Sequence, residues 1–402
     1  MVESTLHPLR AARLNRGLSQ EQLAEQVGVG ERTIKRAEAG MRPHPDTIRR
    51  LSRYLKQSPK ALGLLSATSS GQGALLGQSA PYQRGAPELA SHLRRVLAEY
   101  ASLDNLIGPS SLLAVVPAQL AAVEQLLGDA SPDASGELLG VAARCAELAG
   151  WVYQDAGDLR AADRWTARAV DYALAGGDAR LVSYVLMRRS NVASDAGDAP
   201  RALGLAQAAL REGDRLTPQL RAVALRQEAH GHALRGDGPA CARALDEAMG
   251  EVLAGGSPEP EFDLTAYCTP GYVGMEAAAC WIQLGQPKRA IATFDDRLAT
   301  WPAGYKRDLG LCLARLAVAH AADGDLEQAQ AVGQQAIAVV QQTHSARTLR
   351  ELARLDTLLR QWGSMPEATE LTRALREVAR PVAVPRRRER AHQSGRGGLP
   401  WS

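Results

Sequence analysis

Glu31, Arg32, Lys35 and Arg36 fall within one short stretch, and on an α-helix they share a face. An Arg near the start of a helix can pair bidentately with guanine in the major groove, and a Glu can accept from cytosine N4. Gln20 stands at the start of the preceding helical stretch, where free backbone N–H groups suit a phosphate. These types at these spacings match duplex DNA readout. A basic amphipathic helix can equally be a solvated face, so the elements that hold the four residues have to decide.

Those elements are specific. Ser19 precedes an apolar-periodic stretch and Gln22 follows it three residues later, a capping box that starts a helix at about Gln20. Leu23, Ala24 and Val27 form its inner face, and Gly28 breaks it at a tight turn that needs positive φ. Val29 anchors the turn. A second helix runs from Glu31 to Ala39 with Ile34 and Ala37 inward, and ends at Gly40. Ala24 is small where the two helices would cross. Two short helices joined by such a turn form a helix-turn-helix, and amphipathicity alone does not explain the set.

The string R-x-x-R-G-L-S-Q-E-Q-L-A-E-x-V-G-V, followed by T-I-x-R-x-E-x-G, resembles phage-repressor/Cro-like (Xre-type) helix-turn-helix domains over residues 6–66. The resemblance implies a compact five-helix domain, with helices four and five near 45–56 and 59–65. It implies DNA-facing positions for Gln20, Glu31, Arg32, Thr33 and Arg36, a phosphate contact for Arg42, and a buried Arg13–Glu38 ion pair bracing the domain. One departure is Gly30, at the second helix's N-cap where the family usually has Ser or Thr. Gly caps adequately, but one phosphate contact is lost.

The chain has 402 residues, too many for one core, and few aromatics, a composition suited to helices. Its net charge of +3 is uneven. Residues 1–66 and the Arg-rich 380–402 are basic and the middle is acidic, so the ends are placed to meet a polyanion. The expected division is a DNA-binding domain over 1–66, a linker over 67–87, helical repeats over 88–379, and a basic disordered tail over 380–402. Tyr82 gives the linker an alternative role as an ordered docking segment.

Gly157, Gly197, Gly236, Gly285, Gly324 and Gly363 each end a helical stretch, mostly 39 or 40 residues apart. Five residues after them come Ala162, Ala202, Cys241, Ala290, Ala329 and Ala368. Twelve after them, Ala169, Ala209, Ala248 and Ala336 hold to small residues, while Arg297 and Leu375 break the rule. Each unit reads as a helical hairpin turning at the Gly, with small residues admitting close helix contact and the units stacking into a solenoid. The one longer step spans an insertion, GGSPEPEFDLTAYCTPGY. Helices near 88–105 and 110–127 begin or cap the array. The phasing resembles a divergent tetratricopeptide repeat. The fold class is thus all-α, a small DNA-binding domain followed by an α-solenoid.

Tetratricopeptide groove positions carried onto this chain give Arg144, Glu147, Trp151 and Gln154, then Tyr184 and Asn191, then Arg226 and His230. Asn, Gln and Arg along a groove can clamp the backbone amides of an extended peptide; a solvated or intersubunit face is the plainer reading. His230 and His232 lie two apart on a helix and make a poor metal pair, and the five Cys lack metal or disulfide spacing, so buried free thiols are expected. No acid, base and nucleophile cluster stands out, so neither an enzyme nor a cofactor is expected. No signal peptide and no uncharged apolar run of membrane-spanning length is read, which points to a cytoplasmic protein. The Ala/Arg/Gly-rich composition suits a high-GC, actinobacterial type of organism.

The combination resembles bacterial regulators with an Xre-type head and a tetratricopeptide body, including peptide-pheromone receptors of Gram-positive bacteria. The resemblance implies a homodimeric, sequence-specific transcription regulator whose repeats sense a peptide, a small molecule or a protein partner. The alternative is a DNA-localised scaffold that recruits a protein without sensing a ligand.

Overall fold

The structure, a computed structural model, describes residues 7–41, 43–59, 61–64, 86–255, 263–298, 301, 304–363 and 365–378. Four helices make the head: α1 (Pro8–Leu14), α2 (Gln20–Val27), α3 (Glu31–Glu38) and α4 (Pro45–Leu55). The capping box is present, with Ser19 accepting from the Gln22 N–H and Gln22 Oε1 accepting from the Ser19 N–H. Gly28 adopts φ +65°, as the turn requires, and its carbonyl accepts from Arg50 Nη1 of α4. Leu9, Leu23, Ile34 and Leu51 are fully buried between the helices.

Among the described residues, the expected fifth head helix is replaced by hydrogen-bonded turns. The Leu62 N–H reaches Ser58 O and the Leu64 N–H reaches Pro59 O, while left-handed φ at Lys56 and Gly63 brackets the segment. Gly63, at φ +65°, breaks the helical path within the segment. Leu62 and Leu64 still close the head's core.

The body opens with α5 (Ala86–Ile107) and α6 (Val115–Asp129). Six hairpins follow: α7 (Pro132–Asp155) with α8 (Leu159–Gly176), α9 (Ala179–Asp195) with α10 (Ala199–Ala209), and α11 (Pro218–Leu234) with α12 (Gly238–Ala254). The remaining pairs are α13 (Pro270–Gln283) with α14 (Pro287–Leu298), α15 (Lys306–Asp323) with α16 (Leu326–Thr343), and α17 (Ala346–Leu359) with α18 (Pro366–Val378). The described chain is all-α.

Five of the turn glycines have positive φ, but Gly363 sits at −56° after a 3-10 turn. The small residues expected at the first offset, including Cys241, are all buried. At four turns the Gly is followed by an Asp that N-caps the next helix: Asp158, Asp198, Asp237 and Asp325 accept from Ala161, Arg201, Ala240 and Gln328 N–H groups. The Gly ends one helix and the Asp starts its partner, so the pair fixes each hairpin.

One expectation fails on composition. Pro109–Asp129 is long and apolar enough to cross a membrane. It nevertheless packs on α7, with Val116, Leu120 and Val123 buried in the array's core. All five cysteines are free and buried. Burial pushes the thiols of Cys145 and Cys268 up to about 12. Most of the expected linker, the basic tail, Tyr82 and Arg42 lie outside the described residues.

Candidate nucleic-acid interface and repeat interior

α3 presents Glu31, Arg32, Lys35 and Arg36 to solvent, with Thr33 half-buried beside them. Together with Ala39 and Met41, the four charged residues line one shallow hollow. Ile34, Ala37 and Glu38 hold the opposite face in the head. Gly30 sits at the N-cap without a side-chain bond.

Glu38 is the anchor. Its carboxylate takes Arg13 Nε at 2.5 Å and Nη2 at 3.0 Å, while Arg13 Nη1 donates to Leu18 O. Burial alone would raise the Glu38 carboxyl, but the hydrogen bonds from Arg13 and Gln20 and the charges of Arg13 and Arg10 bring it below its usual range. The pair fixes α3 against α1. Gln20 behaves differently from the expectation: its Nε2 donates to Glu38 Oε2 at 2.7 Å, so its side chain braces the reading helix. Its position at the first turn of α2 still leaves backbone N–H groups for an anion.

In the body, six of the eight expected groove residues meet in one interior network. Gln154 Nε2 donates to Asn191 Oδ1 and to Asp195 Oδ2, each at 2.7 Å, and Asn191 Nδ2 donates to Gln227 Oε1 at 3.3 Å. Arg226 Nη1 donates to the same Gln227 oxygen at 2.6 Å. An amide ladder thus runs from α7 across α9 to α11. Arg188 joins it, donating to Glu147 Oε1 at 2.7 Å and to Asn191 Oδ1 at 3.2 Å. Glu276 collects His230 Nε2 at 3.0 Å and Arg315 Nη1 at 3.1 Å. Burial opposes the Glu276 charge, yet Arg315, His230 and Arg226 hold its carboxyl well below the usual range. Burial also pushes the His230 imidazole below its ordinary value.

Trp151 Nε1 donates to Asp104 Oδ2 at 2.7 Å. Three guanidiniums, those of Arg188, Arg307 and Arg347, stand 4.4–4.9 Å from its ring centroid. Tyr184 is buried on α9, where burial lifts its phenol well above the ordinary value, and Arg144 is half-buried on α7.

This interior differs from an open groove. Glu147, Gln154, Asn191 and Arg226 are each less than a tenth exposed. The cause is closure of the superhelix: α5 and α7 meet α15, α16 and α17. Arg307 pairs with Asp104, Arg350 Nη2 donates to Asp195 Oδ2 at 3.2 Å, and Ser345 Oγ donates to Asp155 Oδ1 at 2.6 Å. Arg188, Gln227, Glu276, Arg307 and Arg315 escaped sequence reasoning. Each reads as an ordinary solvated residue until its partner, one or several repeats away, is placed beside it.

Residues 9–62 match the helix-turn-helix family, and the head is an Xre-type domain of that kind. No curated protein matches the chain. Among solved structures, the chain is similar to a Rap protein complexed with competence and sporulation factor, at 13% identity and TM-score 0.48, over 90% of this chain and 98% of that one. It is similar to Bacillus thuringiensis PlcR in complex with the peptide PapR7 and DNA, at 14% identity and TM-score 0.35, over 72% and 93%. A signal transduction ATPase with a tetratricopeptide repeat sensor from Pyrococcus horikoshii gives 10% identity and TM-score 0.38, over 94% and 62%.

Proposed function

We propose that this chain is a sequence-specific, DNA-binding transcription regulator whose helical array senses a ligand and mediates dimerisation. The observation that carries the reading is the set Glu31, Arg32, Lys35 and Arg36, exposed together on a helix whose other face is pinned by a bidentate buried ion pair. Such rigidity is what base readout needs, because a recognition helix that rocks cannot hold bidentate geometry. The division is a head over 1–66, a linker over 67–87, an array over 88–379 and a basic tail over 380–402. We read the protein as cytoplasmic, homodimeric and without enzymatic activity. Arg42 takes the phosphate role, with Gln20 and Thr33 at the edges of the interface.

The ligand reading rests on the amide ladder. Gln154, Asn191 and Gln227 satisfy one another in the closed array. An extended peptide has backbone donors and acceptors that could exchange into the same bonds, at little net cost. Arg144, Glu147, Trp151, Tyr184, Arg226 and His230 would flank it.

The test is footprinting of the full chain. Arg32→Ala and Arg36→Ala should each weaken operator binding by about tenfold or more while the fold survives. Retention of the wild-type footprint by both variants would remove the recognition-helix assignment. Asn191→Ala should alter the response to peptide and spare operator affinity without ligand.

A further inference from the structure

We propose that the cleft between the head and the first repeats is a binding site for a small amphiphilic acid, an apolar body carrying a carboxylate or a phosphate. The site is separate from the exposed face of α3 and from the repeat interior, and its consequence for DNA rests on the function proposed above.

The cleft encloses about 620 Å³, within the roughly 300–1,000 Å³ of small-molecule sites. Its apolar surface comes from both sides: Ile48 of α4 faces Leu127 of α6, Leu139 of α7 and Tyr172 of α8. The head side carries the polar groups. Arg49, Ser52, Arg53 and Lys56 recur at helical spacing along one face of α4 and its end, and all four line the cleft. Arg49 Nε and Ser52 Oγ are buried there without a hydrogen-bond partner. An acid's oxygens can pair with both once these side chains turn toward the cleft.

The carboxylates nearby do not take that role. Asp46 is held by Arg49 Nη2 and Arg50 Nε, each at 2.6 Å. Glu124, on the far wall, accepts from Arg168 at 2.6 Å and from the Tyr172 hydroxyl. Asp129, also on that wall, has a partner of its own. Among the described residues, Arg53 and Lys56 pair with no carboxylate, and both are exposed at the cleft. The wall chemistry is therefore an apolar slot ending in two unpaired cations, with two unpartnered polar atoms buried beside them.

The two walls belong to different parts of the chain, so an occupant would touch both. His44 Nε2 and Asp171 Oδ1, 3.0 Å apart, form a direct link between the same two parts. A bound acid would set the orientation of α3 relative to the array, and with it the geometry a dimer presents to DNA.

The test uses the full chain and the fluorescent anion 1-anilinonaphthalene-8-sulfonate, displaced by decanoate, decyl phosphate or decanol. Decanoate or decyl phosphate should displace it, the stronger of the two naming the headgroup, and decanol should be about tenfold weaker. Combining Arg53→Ala with Lys56→Ala should weaken the acids about tenfold. Ser135 of α7 also lines the slot, and Ser135→Trp, which fills it, should abolish displacement. Should the double variant melt early, Arg53→Gln carries the same test. Arg32→Ala, remote on α3, should change nothing. Equal displacement by decanol, or unchanged acid binding in the cleft variants, would overturn the proposal.

Discussion

Ser345 Oγ donates to Asp155 Oδ1 at 2.6 Å across 190 residues of sequence, joining the end of α7 to the start of α17. The other carboxylate oxygen, Oδ2, is buried without a partner. Burial therefore pushes the Asp155 carboxyl up to about 6, although Arg347 and the Ser345 bond pull the other way. Asp308 and Asp195, also facing it, add to the rise.

This bond predicts a pH dependence of definite sign. Between an unfolded carboxyl near 3.9 and the folded value, the folded chain keeps a proton that the unfolded chain has lost. The Asp155 contribution is thus most favourable in acid and is lost as pH rises from about 4 to about 6. Asp155→Asn retains an acceptor for Ser345 and removes the charge. It should flatten this part of the stability curve and gain up to about 3 kcal/mol at pH 7, read by denaturant titration at several pH values. An unchanged slope would show that Asp155 does not titrate in this window.

Glu38 carries the opposite sign. Its folded carboxyl lies below the usual range, so its contribution is complete above about 4.3 and falls away as pH drops through the folded value. Glu38→Ala leaves Arg13 as an uncompensated buried charge and should cost the head about 3–5 kcal/mol. Hydrogen exchange of α1–α4 amides measures it, and protection equal to wild type in that variant would contradict the bracing role.

Gly108 reports on closure through sterics. It adopts φ +78°, and a Cβ there would stand 1.7 Å from Thr343 O at the end of α16. Gly108→Ala should separate α5 from α16 and increase the radius of gyration in solution scattering. Gly197→Ala has comparable backbone strain, φ +75°, with open space around a Cβ, and should leave the radius unchanged. Identical scattering from both variants would mean that the close approach at Gly108 does not hold the array shut.

Local chemistry was legible in the sequence and long-range chemistry was not. Ser19, Gln22, Gly28 and Ile34 specify the helix-turn-helix through contacts a few residues apart. The turn glycines and the small residues behind them specify the hairpins in the same way. The Asp caps at 158, 198, 237 and 325 were equally local, but repeat reading fixed on the glycines beside them. Closure has no such signature. It arises when the small rotation at each hairpin accumulates until Asp104 meets Arg307 and Asp195 meets Arg350. The expected groove residues lie on α7, α9 and α11, while their burial follows from helices that lie far downstream.

The Asp155–Ser345 and Asp104–Arg307 contacts also change how the array must come apart. In a linear stack, each repeat leans only on its neighbours, so one end can fray while the rest persists. Here the repeats near one end are held by those near the other, and neither edge is free to peel. The array should melt as a single cooperative unit. Its last folding event is then the ring-closing step, whose loop entropy is repaid only when both arcs are in place.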